Sequence, residues 1–202
     1  MRIAIIGKGN VGTALGEGLA GRGHTVTYGV RQPAPQADRT LATVRDAAAG
    51  AEVVILAVPW AAARQTIAEC GDFAGKTVID CTNPLKPDLY GLEVGFDTSA
   101  AEQVAGWARG ASVFKAFNTT GAGNMASNAG YDPKPVMFIC GDDAQRKPAV
   151  LGLAADLGFD AVDAGDLTAA RLLEPLAMLW ISLAYRQQLG RDFAFALVRR
   201  RS

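Results

Sequence analysis

Apolar and polar positions along the chain fall into two alternating textures. Short aliphatic runs, such as Ile3-Ala4-Ile5-Ile6 and Val53-Val54-Ile55-Leu56, carry no polar alternation, which marks strands covered on both faces. Between them lie alanine-rich stretches that fit helices, and the repeated exchange predicts βαβ units around a parallel sheet. Strands are expected near Arg2–Ile6, Thr25–Tyr28, Glu52–Val58, Thr77–Asp80, Ser112–Phe117, Val136–Cys140 and Asp160–Val162. Helices are expected at Val11–Ala20, Ala61–Glu69, Ser99–Arg109 and Asp143–Leu157, stopped by Gly21, Gly71, Gly110 and Gly158. Glycine there suits a left-handed C-cap.

Two segments break the rhythm. Thr82–Thr98 holds two prolines and two glycines without a period, as expected of a long loop beside a site. After Asp166 the pattern turns helical over Leu167–Arg191, interrupted by Pro175 and bearing Leu176, Met178, Leu179, Trp180 and Leu183. This end is expected to pack on its own sheet, and its Met and aromatic content suits a homodimer contact. Residues 1–166 thus read as the main domain and 167–202 as a helical extension packed on it, with Arg199-Arg200-Arg201 a solvated, frayed end.

Composition narrows the chemistry. Half of the 202 residues are hydrophobic, enough for a sizeable core. Twenty basic residues balance twenty acidic ones, so nothing global attracts nucleic acid or an anionic membrane. Three scattered cysteines, Cys70, Cys81 and Cys140, form neither a disulfide framework nor a metal clip and suit a reducing cytoplasm. With His24 the single histidine, a histidine-rich metal centre is excluded; it is expected at the N-terminal edge of the second strand, in a structural role. The first apolar run is cut by Gly7 too early for a signal peptide. The most apolar late stretch, Leu176–Ala184, has nine residues, where about 18 are needed to span a bilayer.

The strongest motif is Gly7-Lys8-Gly9-Asn10-Val11-Gly12, directly after a strand and opening a helix. Gly7 permits the tight turn, Gly9 lets backbone approach a pyrophosphate, and Gly12 lets the helix lie close to the strand. The amides of Asn10 and Val11 then face the phosphates at the positive end of the helix. The fold class that follows is α/β, a Rossmann-type doubly wound and mostly parallel sheet with a short helical C-terminal extension. At the end of the second strand an acid would bind the NAD ribose, but the chain reads Gly29-Val30-Arg31. Arg31 can pair with a 2′-phosphate, which favours NADP.

Ligands lie outside the carboxyl ends of such strands, and three ends carry chemistry. Val58-Pro59-Trp60 can wall a nicotinamide ribose. Asn83, before Pro84, and Asn118, before Thr119, can hydrogen-bond a carboxamide or ring edge. Gly121–Met125 can keep a flat ligand near backbone, with Met125 a soft apolar contact. Cys81 reads as a strand-end filler. No positioned proton donor for carbonyl reduction is evident, whereas hydride exchange between two rings needs mainly orientation and exclusion of water.

Across nearly its whole length the sequence resembles the NADP-dependent oxidoreductases of coenzyme F420, a deazaflavin, and the related soluble domain of the STEAP metalloreductases. The pieces that carry the likeness are Gly7–Gly12, Gly29-Val30-Arg31, Ala57–Trp60, Thr82-Asn83-Pro84, Val113–Thr119, Phe138–Asp143 and Asp163–Leu167. The resemblance implies NADPH at the glycine loop and Arg31, with Val58, Pro59, Asn83 and Ala116 toward the nicotinamide. It places a deazaflavin, FMN or FAD ring near Asn118–Met125. One departure is Val30, where relatives carry serine, which removes a hydroxyl from the 2′-phosphate site. Two other readings stand beside this one: an NADPH-sensing module without turnover, and a small carbonyl or imine reductase.

Overall fold

The computed structural model describes residues 1–33 and 40–200, so Arg201 lies outside the described residues. The aliphatic runs become β1 (Arg2–Ile6), β2 (Thr25–Val30), β3 (Thr40–Thr43), β4 (Val53–Leu56), β5 (Thr77–Asp80), β6 (Ser112–Lys115), β7 (Val136–Gly141) and β8 (Asp160–Asp163). They form an eight-stranded sheet in the order β3-β2-β1-β4-β5-β6-β7-β8. Neighbours are parallel except β6 and β7, which run antiparallel.

Both faces of this sheet are covered. The helices are α1 (Asn10–Ala20), α2 (Val44–Gly50), α3 (Trp60–Cys70), α4 (Ala100–Trp107), α5 (Ala122–Ala126), α6 (Lys147–Asp156) and α7 (Ala170–Ile181), the last running into a wider turn at Ser182–Arg186. Ile3, Ile5, Val53 and Ile55 join α1, α5 and α6 in one core. Ala4, Ile6, Val54 and Leu56 join α2, α3, α4 and α7 in the other. Successive strand residues therefore serve opposite layers, which is why these runs show no polar alternation.

The sequence reading differs from the structure in identifiable places. It missed β3 and α2, although Thr43 caps α2 by accepting from the Asp46 amide at 3.1 Å, and it missed α5. Gly21 is right-handed at φ −63°. The chain winds one turn further, with Gly21, Arg22 and Gly23 amides bonding back to Glu17, Leu19 and Ala20, and Gly23 takes the positive φ of 84°. Helix α6 starts late because Asp143 first closes a turn over the Gln145 and Arg146 amides. Pro175 sits inside α7 without ending it; burial of Leu173, Ala177 and Trp180 outweighs a cost of about 3 kcal/mol.

The C-terminal tail is tied down. Val136 donates to the Phe195 carbonyl at 2.9 Å, and Arg199 pairs with Asp160 at 2.8 Å, so fraying does not begin at Arg199. Among the described residues one helical run, Leu167–Arg186, is long and apolar enough to cross a membrane by length and composition. Its Leu173, Glu174, Ala177 and Trp180 side is buried within the protein. His24 sits just before β2, beside the N-terminus at 3.4 Å and Asp156 at 3.2 Å, on the opposite end of the sheet from the glycine loop.

Candidate functional site

The crevice opens where strand order reverses, between β1 and β4. Gly7, with φ 105°, turns the chain out of β1; its amide donates to Gly29 at 3.2 Å, and Ala57 donates to the Ile6 carbonyl at 2.8 Å. A methyl on Gly7 would lie 2.3 Å from the Ala57 carbonyl oxygen, and one on Gly12 2.1 Å from that of Gly7. Both positions are closed by backbone. Gly9 is the opposite case: a methyl there would meet nothing within 4 Å. Gly9 caps α1 without any side-chain hydrogen bond, and the first turn holds no acid. Open space over bare amides at a helix N-terminus fits a pyrophosphate.

Beside the loop, a cavity of about 240 Å³ is lined by Gly7, Lys8, Gly29, Val30, Arg31, Val58 and Pro59, among others. An open basin next to it brings Arg31 and Arg45 together with Thr43, Asp46 and Glu69. Arg31 is exposed and makes no hydrogen bond or ion pair among the described residues, so its guanidinium is available to a phosphate. Arg45 was absent from the sequence reading because α2 was. Its signal was legible: Thr43-Val44-Arg45-Asp46 has capping-box spacing, and Thr43 Oγ1 accepts from the Asp46 amide at 3.1 Å and donates to Asp46 Oδ2 at 2.7 Å.

Val58 and Pro59 also border a second cavity of about 440 Å³, closed by Trp60, Ala61, Cys81, Thr82 and Asn83 on one side and Leu85, Lys86, Pro87, Leu89 and Glu93 on the other. Trp60 is steadied by stacking on Trp107, centroids 5.4 Å apart. Thr82 is 3% exposed and its hydroxyl oxygen has no partner, an orphaned polar atom in a residue lining a mainly apolar slot that also carries Asn83, Lys86 and Glu93, as a carboxamide-bearing ring would use. Burial pushes the Cys81 thiol well above its ordinary range, Asp80 adding to the effect and Lys115 opposing it. It is a filler and not a nucleophile.

Beneath this cavity lies an unforeseen cluster. Lys115, Asp80 and Glu174 have fully buried side chains, with Lys115 Nζ 2.9 Å from Asp80 and 2.8 Å from Glu174. Burial opposes the Lys115 ammonium, but the two carboxylates overcome it and hold its pKa above the ordinary value. Burial likewise raises Glu174, against the pull of Lys115 and the α4 amide it accepts from.

The structure gathers Gly7, Gly9, Asn10, Val11, Gly12, Arg31, Val58, Pro59, Trp60 and Asn83 around the crevice. It does not bring the others there as open contacts. Ala116, Thr119 and Pro84 are buried. Asn118 and Asn83 are locked to each other: Asn83 Nδ2 donates to the Asn118 carbonyl at 2.9 Å, and Asn118 Nδ2 donates to Asn83 Oδ1 at 3.0 Å. Met125 is 1% exposed in the core with α1, so it is a packing residue and not a ring contact. The cause is the turn after β6, where Phe117 takes φ 57° and swings α5 inward. Trp180 then covers Gly121, where a methyl would come within 2.7 Å of its ring. Trp180 stacks on Phe193 at 5.1 Å, and the Phe193 carbonyl accepts from Asn124 and Trp180. Protein thus occupies the space where the sequence reading placed a deazaflavin or flavin.

The family model described as NADP oxidoreductase, coenzyme F420-dependent, matches residues 2–84. The chain is 32% identical to an F420-dependent NADP reductase of Methanothermobacter thermautotrophicus, covering 93% of this chain and 91% of that protein. It is 31% identical to the rat metalloreductase STEAP3 over 88% of this chain, but spans only 37% of that longer protein. A crystal structure from Arthrobacter sp. fb24, provisionally named an F420-dependent NADP-reductase, superimposes with a TM-score of 0.89 at 32% identity, covering 98% of this chain and all of that one. The chain therefore belongs to the coenzyme F420-dependent NADP oxidoreductase family and is an NADP-dependent oxidoreductase.

Proposed function

We propose that this chain exchanges a hydride between NADP(H) and a planar ring acceptor, a deazaflavin such as coenzyme F420 or a flavin (FMN or FAD), in the cavity between Val58-Pro59-Trp60 and the Leu85–Glu93 wall. The observation that carries the reading is the sharing of Val58 and Pro59 by the two cavities. That continuity offers one path from the bare helix amides to an apolar slot with room for flat rings.

In this reading the Gly7–Gly12 backbone holds the pyrophosphate, and Arg31, supported by Arg45, takes the 2′-phosphate. Val58, Pro59 and Trp60 wall the nicotinamide side, with the locked Asn83–Asn118 pair and the buried Ala116, Pro84 and Thr119 fixing the floor. Reduced nicotinamide supplies a hydride and the acceptor ring takes it. The residues contribute orientation and an apolar wall: Leu85 is half-buried against the slot, while Lys86, Pro87, Leu89 and Glu93 stand exposed at the rim. Orientation alone is a sufficient source of rate for such a transfer. The exposed Leu172, Leu179 and Tyr185 support a homodimer, and three buried free thiols support a reducing cytoplasm.

Stopped-flow mixing of protein and NADPH with coenzyme F420, FMN or FAD tests this by loss of reduced-nicotinamide absorbance. Fast oxidation with one ring is the expected result. NADPH that binds but passes no hydride to any of the three rings overturns it.

A further inference from the structure

The wall of the acceptor-side cavity is a loop, residues 81–99, and both of its feet stand on the same buried charges. At the first foot, the Thr82 amide donates to Asp80 Oδ1 at 2.9 Å and the Thr82 carbonyl accepts from Lys115 Nζ at 2.5 Å. At the second, the Ala100 and Ala101 amides donate to Glu174 at 2.9 and 3.2 Å. Lys115 joins the two halves through its pairs with Asp80 and Glu174. Past the Asn83–Asn118 pair, which ties the loop down beside its first foot, the loop closes mainly on itself, through Leu85 and Leu92 and the Lys86 and Glu93 amides, and Tyr90 carries Arg186 at 4.5 Å. Its distance from Pro59 is therefore set where it is anchored.

A buried ion cluster is weak evidence of stabilisation, since apolar groups of equal volume serve as well or better. Its use here is geometric: residues from β5, β6 and α7 converge on four backbone groups that no aliphatic side chain could hold. We propose that Asp80, Lys115 and Glu174 are positioning residues that fix the width of the acceptor cavity by holding both ends of this loop as one unit. The proposal rests on the acceptor binding in that cavity.

The test compares Glu174→Gln and Asp80→Asn with wild type by hydrogen exchange, NADPH titration and steady-state kinetics with coenzyme F420 and FMN as probes. Glu174 touches only the second foot and Asp80 only the first. The expected result is cross-coupling: each variant speeds exchange at both feet by about tenfold or more, while residues 7–20 keep their protection. NADPH affinity stays within about twofold, and the acceptor KM rises about tenfold with kcat little changed. Exchange that changes only at the foot the mutated residue touches overturns the proposal, as does equal loss of NADPH affinity and acceptor KM. Should either variant not fold, the triple Asp80→Asn, Lys115→Leu, Glu174→Gln exchange removes all three charges together and leaves no buried ion unpaired, and a loop that stays protected in it also overturns the proposal. A wild-type protein that turns over no ring removes the functional reading, while the exchange pattern still decides whether the feet are coupled.

Discussion

Gly9 and Gly12, about 4.5 Å apart along the helix axis, should respond to the same methyl in opposite ways. Gly12→Ala sets its new carbon 2.1 Å from the Gly7 carbonyl oxygen and 3.2 Å from Ile5, where ordinary contact begins at 3.4 Å. Backbone cannot swing aside like a side chain, so α1 must lift off β1 by more than an ångström. Overpacking of this kind costs about 1–3 kcal/mol, or about 2–12 °C in Tm for a chain of this size. Gly9→Ala meets nothing within 4 Å, and losing glycine at an N-cap costs at most about 1 kcal/mol. Its methyl instead fills the approach to the helix amides. Removing one charge-assisted hydrogen bond is worth about 1.5–3 kcal/mol, a rise in NADPH Kd of about 10- to 150-fold. Thermal melts followed by circular dichroism and NADPH fluorescence titrations on both variants make the comparison. A Gly9→Ala protein that binds NADPH like wild type would show that the pyrophosphate does not pass over this residue, and an unshifted Tm for Gly12→Ala would refute the close-packing argument.

Other consequences are independent of that pair. Arg31→Ala should weaken NADPH by about 2 kcal/mol and NADH much less; equal losses in parallel titrations would remove the 2′-phosphate from Arg31. Burial raises the Cys70 and Cys140 thiols to about 12 and Cys81 further, so iodoacetamide at neutral pH should label the three only after unfolding, and native labelling would contradict their burial. The Arg171 hydrogen bond holds the Glu102 carboxyl below its usual 4.5. Its contribution is complete above that value and lost as pH falls through the lowered one. Glu102→Gln should therefore flatten the acid limb of a stability-against-pH profile, and an unaltered limb would discount the pair.

The parts of the fold that could be read in advance are those where local pattern and tertiary outcome agree. The β1 run, the glycine loop and α1 lie within nineteen consecutive residues, 2–20, and their periodicity, turn chemistry and cap all specify one strand-turn-helix unit. Arg31 follows because it is one residue past β2. Strand β3 was missed because Thr40-Leu41-Ala42-Thr43 has no aliphatic run and follows a proline-bearing stretch, and α2, which follows it directly with seven residues, is too short for a helical period to emerge. The Asp80–Lys115–Glu174 cluster was beyond reach for another reason. Its members are separated by 35 and 59 positions, and each alone looks like an ordinary strand-end or helix charge. Only the sheet order, which puts β5 beside β6, and the return of α7 bring them together.

Met125 shows how the acceptor side escaped the same reasoning, and it yields the sharpest separation of packing from function. A methionine beside glycines near a strand end suits a flat ligand as well as a core. What decided the matter was the φ of 57° at Phe117 and a tail 69 residues away whose Phe193 carbonyl ties down Asn124. Neither is written in the local pattern. Met125→Ala should therefore cost about 2–5 kcal/mol of stability and leave the acceptor KM unchanged in the folded fraction. Leu89→Glu is the converse. Leu89 is 46% exposed and lines the open cavity, so the substitution should shift Tm by no more than about 2 °C, the size of a surface effect of about 0.5 kcal/mol, while raising acceptor KM and sparing NADPH. Chemical denaturation and acceptor kinetics on both variants separate the two roles. An acceptor KM that follows Met125 and ignores Leu89 would return the ring to the space now held by Trp180 and Phe193, and the cavity assignment would have to be abandoned.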